Sequence, residues 1–338
     1  MGWYAALRRV RRTLNARMVP LIAVFAAFAF LVMMFNLPLP GGTTGHALGV
    51  TIAAIVLGSS GAILAMSIAI AIQALFFGDG GITTLGANCF NMALAGSLVA
   101  YYSYRLIAAG ASLASRRRVV AAAVAGYLAV NVSALLAAVE FGIQPLLFRD
   151  ANGVPLYAPY ALRVALPAMM AGHLAIAGVA EAFISAGLVA YLQSSDPALL
   201  RSTAGLAVGS DASEESSGGS LRRLWISVAL LLLLTPLGIL GAGTAWGEWS
   251  ARDFSRPEGR ARIEASSLNQ QAPATAPSGL QRLSTVWTAP IPSYAPRFVK
   301  SPAFGYLLSA MFGLGCVVAL SLAVQMLIRR RDVSGFPQ

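Results

Sequence analysis

The chain has 338 residues, of which 57% are hydrophobic and 11% charged, with a formal net charge of +11. A soluble globular domain carries about 25% charged residues, so this composition excludes a water-covered globule and requires lipid over much of the surface. The positive balance does not indicate nucleic acid, because the arginines gather at the ends of apolar stretches, where they orient membrane segments.

Arg8, Arg9, Arg11, Arg12 and Arg17 precede a first apolar run from about Val19 to Leu37, which stops at Pro38 and Pro40. The run is too long for a signal-peptide core and lacks a small-residue cleavage site. Leu48 to Phe77 follows, interrupted by Gly58-Ser59-Ser60-Gly61. Further spans are expected over Leu85 to Ile107, Val119 to Phe141 and Val164 to Leu192, near the ~20 residues that cross hydrocarbon. Ser194 to Ser220 is rich in Ser, Gly and Glu and reads as a flexible, exposed linker. Leu224 to Leu240 and Ala303 to Ile328 complete the set. Cys89 and Cys316 lie in apolar segments far apart in sequence and form neither a disulfide framework nor a metal spacing.

The arginines decide whether Leu48 to Phe77 is one segment or two. With the N-terminus cytoplasmic, two segments place Arg105, Arg116-Arg117-Arg118, Arg222-Arg223 and Arg329-Arg330-Arg331 all in the cytoplasm. One segment strands the Arg116 cluster outside. The expectation is an all-α polytopic membrane protein of about eight transmembrane segments, broken at Gly58 to Gly61, with both termini cytoplasmic. Leu48 to Leu57 is then too short to span upright and reads as a half-helix. The external side receives the Pro38 to His46 loop, the Gly78-Asp79-Gly80-Gly81 turn and the long loop Gly241 to Pro302, whose length suits a small subdomain.

Only two histidines exist, His46 and His173. His46 ends Gly41-Gly42-Thr43-Thr44-Gly45-His46, a loop whose glycines let backbone approach a ligand, just before a broken helix. Imidazole there suits a borderline divalent metal; the alternative is an interfacial histidine bonded to loop backbone. His173 lies about ten residues into its span, and Glu181 lies two turns further along the same face. Ionisable groups at that depth are functional or belong to an interhelical hydrogen-bond network. Asn88 and Asn91, on one helix face, suit interhelical bonds or a polar cavity. Met33 and Met34 read as packing rather than soft ligands. No HExxH, GxSxG or Walker lysine motif occurs, so active transport would need a separate ATPase.

The run from Gly41 to Gly49, GGTTGHALG, resembles the G-G-T-S-G-H-L-L-G signature of the CbiM/NikM family, the substrate-specific membrane components of energy-coupling-factor transporters for cobalt and nickel. The resemblance continues through Gln73-Ala74-Leu75-Phe76-Phe77-Gly78-Asp79-Gly80-Gly81 and Leu85-Gly86-Ala87-Asn88-Cys89-Phe90-Asn91-Met92. His173 to Glu181 is similar to the family's last core helix. The part beyond about Leu221 resembles the CbiN/NikN-like PDGLE module through Thr235-Pro236-Leu237-Gly238, Gly243 to Trp249 and Gly305 to Ala310, although the PDGLE string itself is absent. Family members begin Met-His-Ile, and the resemblance implies a metal site made of the N-terminal amine, that histidine and the residue matching His46. This chain begins Met1-Gly2-Trp3, which suggests a start at an internal methionine, and no second external histidine is expected beside His46.

The resemblance implies a metal-binding core (1–195), a cytoplasmic linker (196–220) and a module with two helices and an external loop (221–338). It implies a substrate-capture component of a cobalt or nickel importer in the cell membrane, with no permanently bound cofactor and Co2+ or Ni2+ as cargo. A transmembrane coupling subunit and ABC ATPase subunits are the implied partners. His46 is the expected ligand; Thr44, Asn88, Asn91, His173 and Glu181 are expected around it. The overall resemblance leans to cobalt. Two other readings are a membrane-embedded hydrolase using His173 and Glu181, and an accessory scaffold that has lost metal binding.

Overall fold

The computed structural model describes residue 4 and residues 18–203, 215–241 and 243–333. Met1 to Trp3, the five N-terminal arginines and residues 204–214 of the polar linker lie outside the described residues.

Helix α1 (Met18–Met33) is apolar on every side and almost wholly buried, as a helix without a polar face must be. Helices from both halves of the chain pack around it. It ends at Met33 rather than Leu37. The residue before a proline is held extended, and β1 (Leu37–Leu39) pairs antiparallel with β2 (Thr43–Gly45), with Leu37 opposite Gly45 and Leu39 opposite Thr43.

Helix α2 (Val50–Phe77) contains 28 residues, which as a straight rod would be about 42 Å long. Its two ends nevertheless return to the same part of α1. A Cβ on Gly49 would lie 2.7 Å from Cε1 of Phe28, and the ring of Phe77 is 5.7 Å from that of Phe30. The chain therefore doubles back, and it does so at Gly58, whose φ of 74° and ψ of 169° are not helical. The break expected from the arginine distribution is present, leaving a short leg (50–57) and a longer one (59–77).

Helix α3 (85–107) combines a regular first turn, a π-helical stretch over Cys89–Gly96 and a regular end. Helix α4 (Arg116–Leu147) starts at Ser115, whose side chain accepts from Arg117 N–H at 3.2 Å. Helix α5 (Leu162–Ser195) carries a π-turn at His173–Ala177. Both outrun the expected spans, because caps and loops set helix ends while hydropathy marks only the apolar middle.

Pro197–Thr203 forms a 3-10 turn with Leu200 fully buried. This part of the expected linker is docked rather than exposed, since its leucines find the core. Helix α6 (Glu215–Leu234) begins inside the remaining linker and gives way to a 3-10 turn over Thr235–Leu240, where Pro236 removes a helical donor. Three short helices follow, α7 (Ala251–Ser255), α8 (Pro257–Ser266) and α9 (Ser278–Leu283), then the long α10 (Pro302–Val333).

Among the described residues five helices are long and apolar enough to cross a membrane, Val50–Phe77, Arg116–Leu147, Leu162–Ser195, Leu221–Leu240 and Pro302–Met326, and Met18–Met33 is a shorter apolar helix. The protein is an all-α polytopic membrane protein. Large apolar side chains such as Phe183, Leu230, Leu233 and Met311 stand on its outside, as a lipid-facing surface requires.

Residues 241–302 form a roof over the end that carries the β1–β2 hairpin. The roof does not build a core alone. Trp246, Phe254 and Ile263 share a cluster with Ala134, Ala138, Val164 and Met169 of the helices beneath and with Tyr160 of the connection between α4 and α5. On the other flank Tyr294 stacks on Phe77 at 4.6 Å, its hydroxyl donates to Asp79 at 2.5 Å, and the Tyr306 hydroxyl donates to the Met34 carbonyl at 2.6 Å. Burial and the Asp79 charge push the Tyr294 phenol well above its ordinary pKa, so it stays a donor at neutral pH.

Because φ and ψ at Gly58 fall where essentially only glycine is found, Gly58→Ala is expected to cost about 2 to 3 kcal/mol. Thermal unfolding of the purified variant in detergent checks this, with Gly86→Ala, at a helical position with open space around it, as the near-neutral control.

Candidate functional site

The loop from Gly41 to Gly49 occupies the mouth beneath the roof. Gly41 (φ 82°) is pressed against α8, where a Cβ would lie 2.6 Å from the Ser266 Cα. The Thr43 hydroxyl donates to the Thr244 carbonyl at 2.8 Å and the Thr44 N–H donates to the same carbonyl at 3.1 Å. Thr44 also forms a parallel bridge with Ala245. Thr44, expected near the ligand, is buried and is tied to the roof through its backbone.

From below, the loop is fixed by α5. The Glu181 carboxylate is fully buried and accepts the N–H groups of Leu48 at 2.8 Å and Gly49 at 2.9 Å, while Ser185 donates to its other oxygen at 3.4 Å. These N–H groups belong to the first turn leading into α2, which has no intrahelical partner for them, and the positive end of a helix favours an acidic group. Glu181 is thus the anchor of the His46 loop rather than part of an open polar cavity.

His46 is half-buried, with Nδ1 3.1 Å from the Ala47 carbonyl. His173 is also half-buried, with Nδ1 2.8 Å from the Met169 carbonyl. Its Nε2 is turned toward Gly45, 3.6 Å from where a Cβ would stand. The reversal at Gly58 and the Glu181 anchor bring the loop down onto α5 and set Gly45 beside His173, a long-range contact invisible in sequence spacing.

Asn88 and Asn91 lie on a neighbouring wall. Asn88 donates to the Gly80 carbonyl at 3.3 Å, and Asn91 donates to Glu140 at 2.7 Å while its own carbonyl accepts from Ser133. Asn91 therefore bridges two helices, and Asn88 ties α3 to the turn at Gly80. Glu140 was missed in the sequence, although an acidic residue inside an apolar run is the signal that singled out Glu181. Met33 and Met34 are buried in the α1 core, the packing role expected of them. Among the described residues no group of three or more His, Cys, Asp or Glu side chains forms a ready-made metal cage.

The family model for the CbiM cobalt uptake substrate-specific transmembrane region matches residues 1–199. The chain belongs to the CbiM family. It is 51% identical over 333 residues to the fused nickel transport protein NikMN of Rhodobacter capsulatus, covering 97% of this chain and 93% of that protein. It is 37% identical to the probable fused nickel transport protein LarMN of Lactiplantibacillus plantarum, covering 75% and 73%. A solved structure described as a transition metal transporter superposes with a TM-score of 0.54 at 49% identity, over 58% of this chain and 84% of that one. The likeness to the Rhodobacter protein runs through the roof and α10, so the loop and its cover belong to one shared sequence.

Substitutions at Glu181 and at Gly41 probe the anchoring. Glu181→Ala leaves two buried N–H groups unpaired and is expected to cost about 2 to 4 kcal/mol, with Glu181→Gln milder because its amide oxygen still accepts; melting temperatures of the two variants check the order. Gly41→Ala and Gly42→Ala share a positive φ, but only Gly41 faces a backbone clash, since nothing lies within 4 Å of Gly42. Gly41→Ala is expected to lower the melting temperature more, and limited proteolysis is expected to cut its roof sooner.

Proposed function

We propose that this chain is the substrate-capture membrane component of an energy-coupled importer for nickel or cobalt ions, taking the ion from outside at His46. The observation that carries the reading is the mouth loop. Its Gly-Gly-Thr-Thr-Gly-His segment matches the family signature, is held from above by Thr244 and from below by Glu181, and presents an imidazole nitrogen. Imidazole is an apt ligand for both metals. The relative matched over 97% of this chain carries a nickel name, which favours nickel over the cobalt to which the overall resemblance leaned.

The ion is cargo, not a resident cofactor. Nucleotide hydrolysis belongs to ABC ATPase subunits, joined through a transmembrane coupling subunit that reorients or opens the capture component. Arg105, the Arg116 cluster, Arg222-Arg223 and Arg329-Arg330-Arg331 all lie near the ends of apolar helices, which supports a cytoplasmic assignment for those ends and for both termini. The hydrolase alternative loses its pair, because the Glu181 carboxylate is engaged by two backbone N–H groups while His173 turns to Gly45.

His46→Ala is expected to abolish nickel- and cobalt-dependent uptake by cells carrying the full transporter, with the variant inserted in the membrane at wild-type level. Uptake of both ions at the wild-type rate overturns the assignment. An unmodified protein that binds neither ion in equilibrium dialysis establishes the accessory-scaffold reading instead.

A further inference from the structure

Between Asp79 and Glu140 the sequence contains no acidic residue, yet it holds Arg105, Arg116, Arg117 and Arg118. All four gather at the end of α3 and the start of α4. Arg118 is the buried member, only 1% exposed. Its guanidinium donates to the carbonyls of Ala111 at 2.9 Å and Ser112 at 3.0 Å and to the Tyr104 hydroxyl at 3.1 Å. Gln193 of α5 donates to the carbonyls of Leu113 and Ser115 at 2.8 and 2.9 Å. The connection between α3 and α4 is therefore fixed from the inside.

The other three guanidiniums belong to exposed residues. Arg105 Nη1 donates to the Tyr101 hydroxyl at 3.1 Å, and Arg117 Nε donates to the Ile107 carbonyl at 2.5 Å. Both bonds end on neutral oxygens and leave the charges in place. Asp196, three residues beyond Gln193, keeps a buried Oδ2 without a hydrogen-bond partner, and that oxygen does not neutralise them. Helical side chains lean toward the N-terminus. At the C-terminal end of α3 this turns Arg105 back toward the apolar part of its helix, whereas Arg116 and Arg117, opening α4, lean away from theirs. Positive charge thus stands at two depths on a rigid frame.

Apolar surface continues from these charges. On α3, Tyr102 and Leu106 are 60% and 78% exposed, and on α4, Val120 and Val124 are 58% and 39% exposed. Each pair is four residues apart and shares a helix face, and the α4 pair extends the face that Arg116 begins. The two helices pack side by side. A surface cationic at its end and apolar along its length matches a molecule with an anionic head and apolar tails.

We propose that the α3–α4 connection binds the phosphate headgroup of an anionic phospholipid through Arg105, Arg116 and Arg117, with the acyl chains laid along the exposed faces of α3 and α4. Guanidinium meets phosphate through bidentate, charge-assisted hydrogen bonds, and basic pockets between membrane helices hold such headgroups. The lipid then fixes the depth at which the two helices sit.

The test titrates the full purified chain in detergent with phosphatidylglycerol or phosphatidylcholine and counts bound lipids by native mass spectrometry. The unmodified protein is expected to bind phosphatidylglycerol more tightly. That preference is expected to fall about five-fold for each guanidinium removed by Arg105→Gln and Arg117→Gln. A charge-matched control, Arg252→Gln with Arg282→Gln at exposed positions of the roof, is expected to keep it. Equal binding of both lipids by the unmodified protein, a comparison that needs no substitution, overturns the proposal and leaves the arginines to an acidic protein surface. A preference unchanged in the Arg105 and Arg117 variants, or lost equally in the roof control, also overturns it. Displacement of phosphatidylglycerol by inorganic phosphate shows a site for the free anion, and the lipid assignment falls.

Discussion

The Glu181 carboxylate, sealed from solvent inside a transmembrane helix, receives the N–H groups of Leu48 and Gly49 across sequence separations of 133 and 132 residues. An acidic group at this depth is costly unless its oxygens are occupied, and free N–H groups at a buried helix start are costly in turn. Each cancels the other's penalty, so the two segments are held together by mutual need. The position of His46, two residues before Leu48, follows from that bond.

The mouth is consequently shaped from both sides. Below, α5 contributes Glu181 and His173. Above, Thr244 and the end of α8 meet the tip of the hairpin, where Gly41 fits only because it has no side chain. The strands β1 and β2 are short, and a two-stranded ribbon is marginal alone. Their order depends on being sandwiched between a membrane helix and a roof.

Much of the architecture was legible in the sequence because lipid imposes simple rules. Apolar runs marked the helices, and arginine clusters required the reversal at Gly58, a turn that hydropathy alone reads as continuous helix. What could not be read were contacts that depend on three-dimensional closure. The meeting of the His46 loop with His173 depends on the Glu181 anchor and the π-turn, neither of which leaves a local spacing. The 3-10 turn at Pro197–Thr203 was misread for a different reason: it was grouped with the polar stretch that follows it, while its own buried Leu200 decides its fate. Glu140 was overlooked although its signal, an acid within an apolar span, was in view.

The bond from Thr43 to Thr244 joins residues 201 apart, and this separation has a meaning in time. Chains fold as they emerge from the ribosome, N-terminal parts first, and distant pairings form late because a long loop must close before they are made. The hairpin that leads into the His46 loop is synthesised long before its cover, which lies in the last third of the chain. The outer side of that loop in a newborn molecule is therefore uncovered throughout most of translation, and the last contacts to form are those that close the roof over it.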